Sequence, residues 1–418
     1  MQIFRIKGGS RLSGEVTIDS AKNSVLPILA ACVMTEEPVT LLDVPDIEDV
    51  SNMIEILRSI GVQVTRDQTA VTVCAGGELV EELPAHLEKM LRSSVFLVGP
   101  LLARMRKVTF GYPGGCEIGL RPIDLHEHGL RALGVVIDDS GERLHCDGTA
   151  MRGAEVHFDY PSVGATENVM MASALLPGLT VIHNAAREPE IVDLARFMNA
   201  CGAKISGAGR QQITIQGVKR LRGIVYRPIP DRIVAGTMLA AAAVTGGELL
   251  LRNAPAQDMV AQIAKLRDMG CEIADSVGSL TLRAPKRLRS FGQLQTQPHP
   301  GFPTDMQAPM FALATVADGV SLVLETIFES RFQHANDLMK MGADITLNDR
   351  MAVVRGVTRL HGAHVKAHDL RAGAAMVIAG LAAEGVTEIE QIGQIDRGYA
   401  GLEVVLGGLG ADIQRVTL

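Results

Sequence analysis

The chain contains no tryptophan, and aromatic residues make up only 3% of its 418 positions. A core of the size such a chain buries must therefore be aliphatic, built from Ala, Val, Leu, Ile and Met. Paired-cysteine motifs are also missing. The six cysteines, Cys32, Cys74, Cys116, Cys146, Cys201 and Cys271, are scattered with no CxxC and no disulfide-framework spacing. That distribution suits a reducing compartment. No apolar run is long enough to span a bilayer, and the opening MQIFRIKGG lacks the apolar core of a signal segment. A cytoplasmic protein with no membrane partner is expected. There is no GxxxxGK[ST], and Gly207-Ala208-Gly209 lacks the third glycine of a dinucleotide fingerprint. His126 and His128 flank Glu127, but at i and i+2 on a helix they diverge, and no third ligand is spaced for zinc. No metal and no cofactor are expected. Positive charge is not in excess either: the net charge is −7, which argues against a nucleic-acid partner. The short basic run Lys286, Arg287, Arg289 reads as a solvated edge.

What the chain does have is internal repetition. Its length exceeds what one hydrophobic core usually supports, so two domains are expected. A bulky residue followed by glycine and a short strand recurs six times, at Gly61, Gly134, Gly202, Gly270, Gly342 and Gly410. The residue numbers give gaps of 73, 68, 68, 72 and 68 between these glycines, the signature of a repeated supersecondary unit. Each glycine closes an amphipathic helix, as in residues 51–60, 190–201 and 259–269, where apolar residues fall at helical spacing with charges between. A glycine past the last turn supplies the left-handed cap. Strands such as 62–66, 204–206 and 272–274 follow. Asp49 is read as the cap of the helix beginning near Ser51.

A second helix of another kind belongs to each repeat, over residues 21–34, 91–103, 163–176, 231–244, 303–317 and 369–383. Their bodies are apolar nearly all round, as in GTMLAAAAV (236–244), so they are buried. Six units, each with one buried helix, one surface helix and several strands, divide into two domains of three. The first turns of the buried helices are nevertheless polar: Lys22 and Asn23; Arg92, Ser93 and Ser94; Ser162, Gly164 and Glu167; Asp231 and Arg232; Asp305 and Gln307; Asp369 and Arg371. Ordinary capping accounts for Ser162, Asp231 and Asp369. It does not account for Lys22, Arg92, Arg232 and Arg371, because a cation opposes the positive end of the helix dipole. Cations placed there imply a compensating anion, and helix N-termini already favour phosphate and carboxylate. If the buried helices of each domain point one way, an anion-binding cleft between the domains is expected.

One loop stands apart. GYPGGCEIGLRPIDL (111–125) carries four glycines and two prolines around the lone Cys116, with Arg121 and Asp124 downstream. Such a segment is a loop whose backbone N–H groups can approach a ligand. A cysteine near a fixed cation ionises more readily, and the thiolate is its reactive form.

The residues resemble one family, the UDP-N-acetylglucosamine 1-carboxyvinyltransferases (UDP-GlcNAc enolpyruvyl transferases). The matching stretches run almost end to end: GEVTIDSAKNSVLPILAA (14–31), PGGCEIGLRPIDLH (113–126), SVGATENVMMA (162–172), NAAREPEIVDLA (184–195), PDRIVAGT (230–237), FPTDMQAPM (302–310), ETIFESRF (325–332), DLRAGAA (369–375) and IDRGY (395–399). The resemblance implies an α/β fold, a two-domain inside-out α/β barrel of six βαβαββ units. Residues 21–229 would form one domain, and residues 1–20 with 230–418 the second. It implies transfer of the enolpyruvyl group of phosphoenolpyruvate to the 3′-hydroxyl of UDP-N-acetylglucosamine with loss of phosphate, the first committed step of peptidoglycan synthesis.

By position, the resemblance assigns Lys22, Arg121 and Arg397 to the phosphate and carboxylate of phosphoenolpyruvate, and Asn23 to placing the reacting centre. Cys116 would be the general acid, able to form a covalent adduct and open to alkylation by fosfomycin. Asp305 would be the general base. Arg121, Pro122, Ile123, Asp124, Leu125, Ser162, Val163, Gly164 and Ile327 would line the nucleotide-sugar site, with Arg92 and Arg232 near it, and Asp369 and Arg371 completing the cleft. A monomer is expected. Adding an alcohol to an enol ether needs a proton delivered to carbon and one removed from oxygen, and an anionic intermediate calls for fixed cations. Two rivals remain at this point. One is 3-phosphoshikimate 1-carboxyvinyltransferase, which resembles the chain in repeat plan only and needs no loop cysteine. The other is a non-catalytic UDP-sugar-binding regulator, which would not need an acid–base pair.

Overall fold

The computed structural model describes residues 2–84, 92–112, 118–119 and 122–418. They fall into two compact units. Residues 2–19 and 230–418 form one, together with Ile118 and Gly119; the remaining described residues between 20 and 229 form the other.

The six periodic glycines all take positive φ, from 94° at Gly61 to 105° at Gly202. Each lies two residues beyond the last residue of a helix: Glu48–Ser59, Asp124–Ala132, Pro189–Ala200, Val260–Asp268, His334–Lys340 and Leu402–Gly408. The hydrogen bonds repeat at every one. At Gly202 the glycine N–H donates to the Asn199 carbonyl, and the next N–H, of Ala203, reaches back to Met198. This is the Schellman closure, which satisfies carbonyls that the helix itself leaves open. Nothing lies within 4 Å of where a Cβ on Gly202 would sit. Gly202→Ala therefore tests the backbone alone and is expected to cost about 1 kcal/mol in urea unfolding. An unchanged midpoint would show that the cap does not need glycine.

Two local expectations shift. The first surface helix begins at Glu48, with Ile47 at its N-cap and no side-chain cap bond, so Asp49 is not the cap. Glu48 and Asp49 instead sit in the first turn, where negative charge suits the helix dipole. The segment read as loop to residue 125 already turns helical at Asp124, so Asp124 and Leu125 belong to the first turn of Asp124–Ala132.

The buried helices are Lys22–Ala31, Val98–Met105 (entered through the 3-10 turn Arg92–Leu97) and Val163–Ser173 in one unit. In the other they are Arg232–Val244, Gln307–Val316 and Leu370–Ala382. Small residues such as Ala240, Ala242, Ala312, Ala374 and Ala375, all fully buried, let the last three pack closely. Sheets cover these helices. In the unit of residues 230–418 each sheet has four strands of one plan: a parallel edge strand, then two antiparallel neighbours. One runs Gln293–Gln295, Val320–Leu324, Met351–Arg355, Asp344–Asn348. Another runs His364–Lys366, Val386–Glu390, Gln2–Lys7, Asp412–Thr417. The N-terminal strand Gln2–Lys7 thus takes the place that Met351–Arg355 fills in the neighbouring sheet. Ser13–Thr17 likewise supplies the parallel edge for Glu248–Arg252. The strands of each unit remain separate sheets around a helical centre, helices inside and sheets outside. Lys286, Arg287 and Arg289 are exposed. Among the described residues no helix is long and apolar enough to cross a membrane.

Candidate active site

In the unit of residues 230–418, the mouths of the three buried helices come together. Asp231 and Asp369 are N-caps: Asp231 accepts from the Ile233 and Val234 N–H groups, and Asp369 from those of Arg371 and Ala372. Ser162 caps its helix in the other unit by accepting from Ala165. Asp305 makes no cap. It stands in the 3-10 turn Thr304–Met306, and its two oxygens are held by different guanidinium groups, Arg331 at 2.9 Å and Arg371 at 3.0 Å. Both arginine side chains are nearly fully buried. Arg371 also donates to the Tyr399 hydroxyl at 3.1 Å and lies over that ring, and Tyr399 meets Thr237 at 2.9 Å. Burial works against the Arg371 charge, but Asp305, Tyr399 and Asp231 outweigh it and hold its pKa above the ordinary arginine value. The cation that capping could not explain thus has a carboxylate of its own chain as counter-charge. Arg232 is buried at the mouth of the next helix.

A second carboxylate organises the approach to this pair. Buried Glu325 accepts from the Thr296 and Thr304 hydroxyls and from the N–H groups of Ile327 and Phe328. Thr304 in turn accepts from Arg331 at 2.8 Å. Ile327 is therefore fixed by the same network that fixes Asp305. Ile118 joins it through its carbonyl, which accepts the Ser330 N–H. Gln307, next in the chain after Met306, is fully buried, and neither amide atom finds a partner among the described residues. Arg397 caps the short helix Gly393–Asp396 and donates to Gln394 at 3.2 Å.

His334 lies behind Arg331, fully buried and edge-on to Phe311 at 4.9 Å between ring centres. Burial lowers its pKa to about 4; Asp369 opposes that shift, and Arg331 and His368 reinforce it. An ordinary histidine titrates near 6.5. As pH falls from 6.5 towards 4 the unfolded chain takes up the proton and the folded one does not, so stability is full above 6.5 and falls through that window. The expected loss is up to about 3 kcal/mol. Urea midpoints at pH 7 and pH 4.5 check it: His334→Gln should flatten the dependence relative to wild type, and parallel profiles would remove His334 as its source.

In the unit of residues 20–229, Lys22 opens its helix and pairs with Asp49 at 2.9 Å, the carboxylate being buried. Asn23 follows in the same turn, half-buried. Arg92 opens the 3-10 turn Arg92–Leu97. The stretches expected to line a nucleotide-sugar site are tied together by buried Asn168. Its carbonyl accepts from Gly99, and its amide nitrogen reaches the Val95 carbonyl at 3.0 Å and the His126 ring at 2.9 Å. His126 sits in the first turn of the helix that starts at Asp124, and a Cβ on Gly164 would meet its ring at about 3 Å. Ile123 is buried, whereas Pro122 and Asp124 are exposed. Val163 and Gly164 are half-buried in the first turn of their helix. Glu167, further along that helix, is buried, and one of its carboxylate oxygens has no partner among the described residues. Burial first, then the Glu190 and Glu188 charges, pushes its pKa well above the usual range.

Cys116, Glu117 and Arg121 lie outside the described residues. Of the other five cysteines, Cys32, Cys146, Cys201 and Cys271 are buried, and burial pushes the thiols of the last three up to about 12. These are inert core groups. Cys74 is half-buried. Sequence reasoning missed Arg331, Glu325, Asn168 and the partnership of Asp49 with Lys22. Arg331 and Glu325 lay within the quoted stretch ETIFESRF and Asn168 within SVGATENVMMA, but nothing in either marks which group each would meet.

The sequence pattern of the family described as EPSP synthase (3-phosphoshikimate 1-carboxyvinyltransferase) matches residues 6–406. Among curated proteins, UDP-N-acetylglucosamine 1-carboxyvinyltransferase 2 of Caldanaerobacter subterraneus subsp. tengcongensis is 48% identical over 413 residues, covering 99% of each chain. The chain belongs to the UDP-N-acetylglucosamine 1-carboxyvinyltransferase family. It is a transferase of that family on full-length similarity. The relative from Nitratidesulfovibrio vulgaris (strain DSM 19637 / Miyazaki F) agrees, at 47% identity over 98% of each chain. The fold is that of the enolpyruvyl transferases. NikO from Streptomyces tendae superposes with a TM-score of 0.91 at 24% identity, over 100% of this chain and 99% of its own. EPSP synthase from Acinetobacter baumannii gives 0.77 at 18% identity, over the whole of both chains.

Proposed function

We propose that the protein transfers the enolpyruvyl group of phosphoenolpyruvate to the 3′-hydroxyl of UDP-N-acetylglucosamine, releasing phosphate, in the cytoplasmic phase of peptidoglycan synthesis. The observation that carries the reading is Asp305, a carboxylate held at both oxygens by buried arginines, in a chain 48% identical end to end to a relative of that name. The sugar hydroxyl adds to C2 of phosphoenolpyruvate while C3 gains a proton. The resulting ketal then loses that C3 proton and expels phosphate. Asp305 takes the hydroxyl proton; a carboxylate offers about four lone-pair sites, so two arginines leave room for a third donor. Cys116 supplies the proton to carbon, and its thiol is the group that fosfomycin alkylates. Lys22, Arg121 and Arg397 hold phosphate and carboxylate, and Asn23 orients the reacting centre. Arg92, residues 121–125, Ser162, Val163, Gly164, Arg232 and Ile327 receive the nucleotide sugar, with Asp369 and Arg371 fixing the groups around Asp305. The protein acts as a monomer without metal or cofactor.

Phosphate release from phosphoenolpyruvate, with UDP-N-acetylglucosamine as acceptor, tests this for wild type and Cys116→Ser side by side. Release that needs both substrates and drops by about a hundredfold or more in the variant is the expected result. Full release in the variant would remove Cys116 from the chemistry. Release with shikimate 3-phosphate in place of the nucleotide sugar would move the substrate assignment to the other branch of the fold.

A further inference from the structure

We propose that Arg415 is a positioning residue for anion binding at Arg397, acting through Asp396; this rests on the reading of Arg397 as a holder of phosphoenolpyruvate. Arg415 lies on the C-terminal strand Asp412–Thr417, opposite Phe4 of Gln2–Lys7. Its guanidinium grips two carboxylates at once. Nη1 and Nη2 meet Asp396 at 2.9 and 2.7 Å, while Nε and Nη2 meet Glu403 at 2.7 and 3.3 Å. Nη1 also reaches Gln2 at 3.3 Å, and the guanidinium carbon lies 5.0 Å from the centre of the Phe4 ring. The two carboxylates bracket one turn. Asp396 ends the helix Gly393–Asp396, Glu403 lies at the start of Leu402–Gly408, and Arg397 to Gly401 run between them. A single planar fork therefore fixes both ends of the turn that carries Arg397, and with it Tyr399, the partner of Arg371.

Charge gives the arrangement a second effect. Asp396 is the residue immediately before Arg397, and an unneutralised carboxylate there would offset the field that draws an anionic ligand to Arg397. Arg415 offsets part of it with two parallel N–H···O bonds, a geometry that lysine cannot reproduce, while sharing its charge with Glu403. Asp396 and Arg415 are each about a third exposed or less, so solvent screens the pair only in part. Sequence distance hides the device: the strand that holds the turn is paired to the first strand of the chain.

Isothermal titration of phosphoenolpyruvate and of inorganic phosphate, with steady-state kinetics beside it, decides the matter for Arg415→Gln, Arg415→Lys and the double variant Arg415→Gln/Asp396→Asn. Arg415→Gln is expected to raise the KM and Kd for phosphoenolpyruvate about tenfold, with kcat and the KM for UDP-N-acetylglucosamine within about twofold. Arg415→Lys should recover little. The double variant should regain part of the affinity, since the carboxylate next to Arg397 is then neutral while the hold on Glu403 stays lost. Unchanged affinity in Arg415→Gln would overturn the proposal. So would losses for both substrates that follow a lowered Tm and persist in the double variant, which mark a purely structural clamp. If wild type bound phosphoenolpyruvate but did not turn over, the proposed reaction would fall, and the binding comparison would still decide the role of Arg415. Failure of wild type to bind either anion would overturn the proposal itself.

Discussion

Arg371→Met is expected to destabilise the protein by about 3–5 kcal/mol and to reduce turnover by at least a hundredfold. The guanidinium is buried against Asp305 and Tyr399. Methionine fills much of the aliphatic space but takes from Asp305 one buried cation and from the Tyr399 hydroxyl one donor. Breaking a buried pair from one side is costly because the remaining charge loses its compensation, more than because the pair itself is strong. Equilibrium urea unfolding measures the first effect and phosphate release the second. A loss of stability under about 1 kcal/mol would mean that water or Arg331 fully compensates Asp305, and the buried cage would then be no constraint on the site.

Asp305→Asn should lower kcat by about a hundredfold to ten-thousandfold. The substitution keeps size and shape and removes the carboxylate that Arg331 and Arg371 share. The new amide can accept from one guanidinium through its oxygen, but its NH2 group faces the N–H donors of the other, so one arginine must turn away. Rate and geometry fall together, and the pair of variants separates them. Asp305→Asn alone removes the base, whereas Arg331→Met keeps the carboxylate and releases one of its anchors. If Asp305→Asn retained turnover within tenfold of wild type, Asp305 would hold the arginines and not take the proton.

The repeat plan was legible because its signals are local. A glycine two residues past a helix end, with the carbonyls three and four residues back waiting for donors, is chemistry contained in a six-residue window, and it recurs at all six positions. Ser162, Asp231 and Asp369 were legible as caps for the same reason. Asp49 was misread because the same local rule offered a plausible cap, while the structure places its carboxylate on Lys22, 27 residues earlier. The polar helix mouths marked where the site would be sought, since cations there contradict the helix dipole. The counter-charge at Arg371 proved to be an aspartate 66 residues away in sequence.

Sequence alone determined the six-fold repetition, the burial of one helix in each unit, the left-handed closures and, through resemblance, the family. Tertiary structure decided which charges meet: Asp305 with Arg331 and Arg371, Glu325 with the Ile327 turn, Asn168 with His126, Arg415 with Asp396 and Glu403. Periodicity and capping arise from forces that act within one turn of chain, and so leave a trace in residue order. An ion pair between distant elements depends on how helices and strands pack in three dimensions, and any of the 40 lysines and arginines could in principle have met a given carboxylate. Only packing selects one.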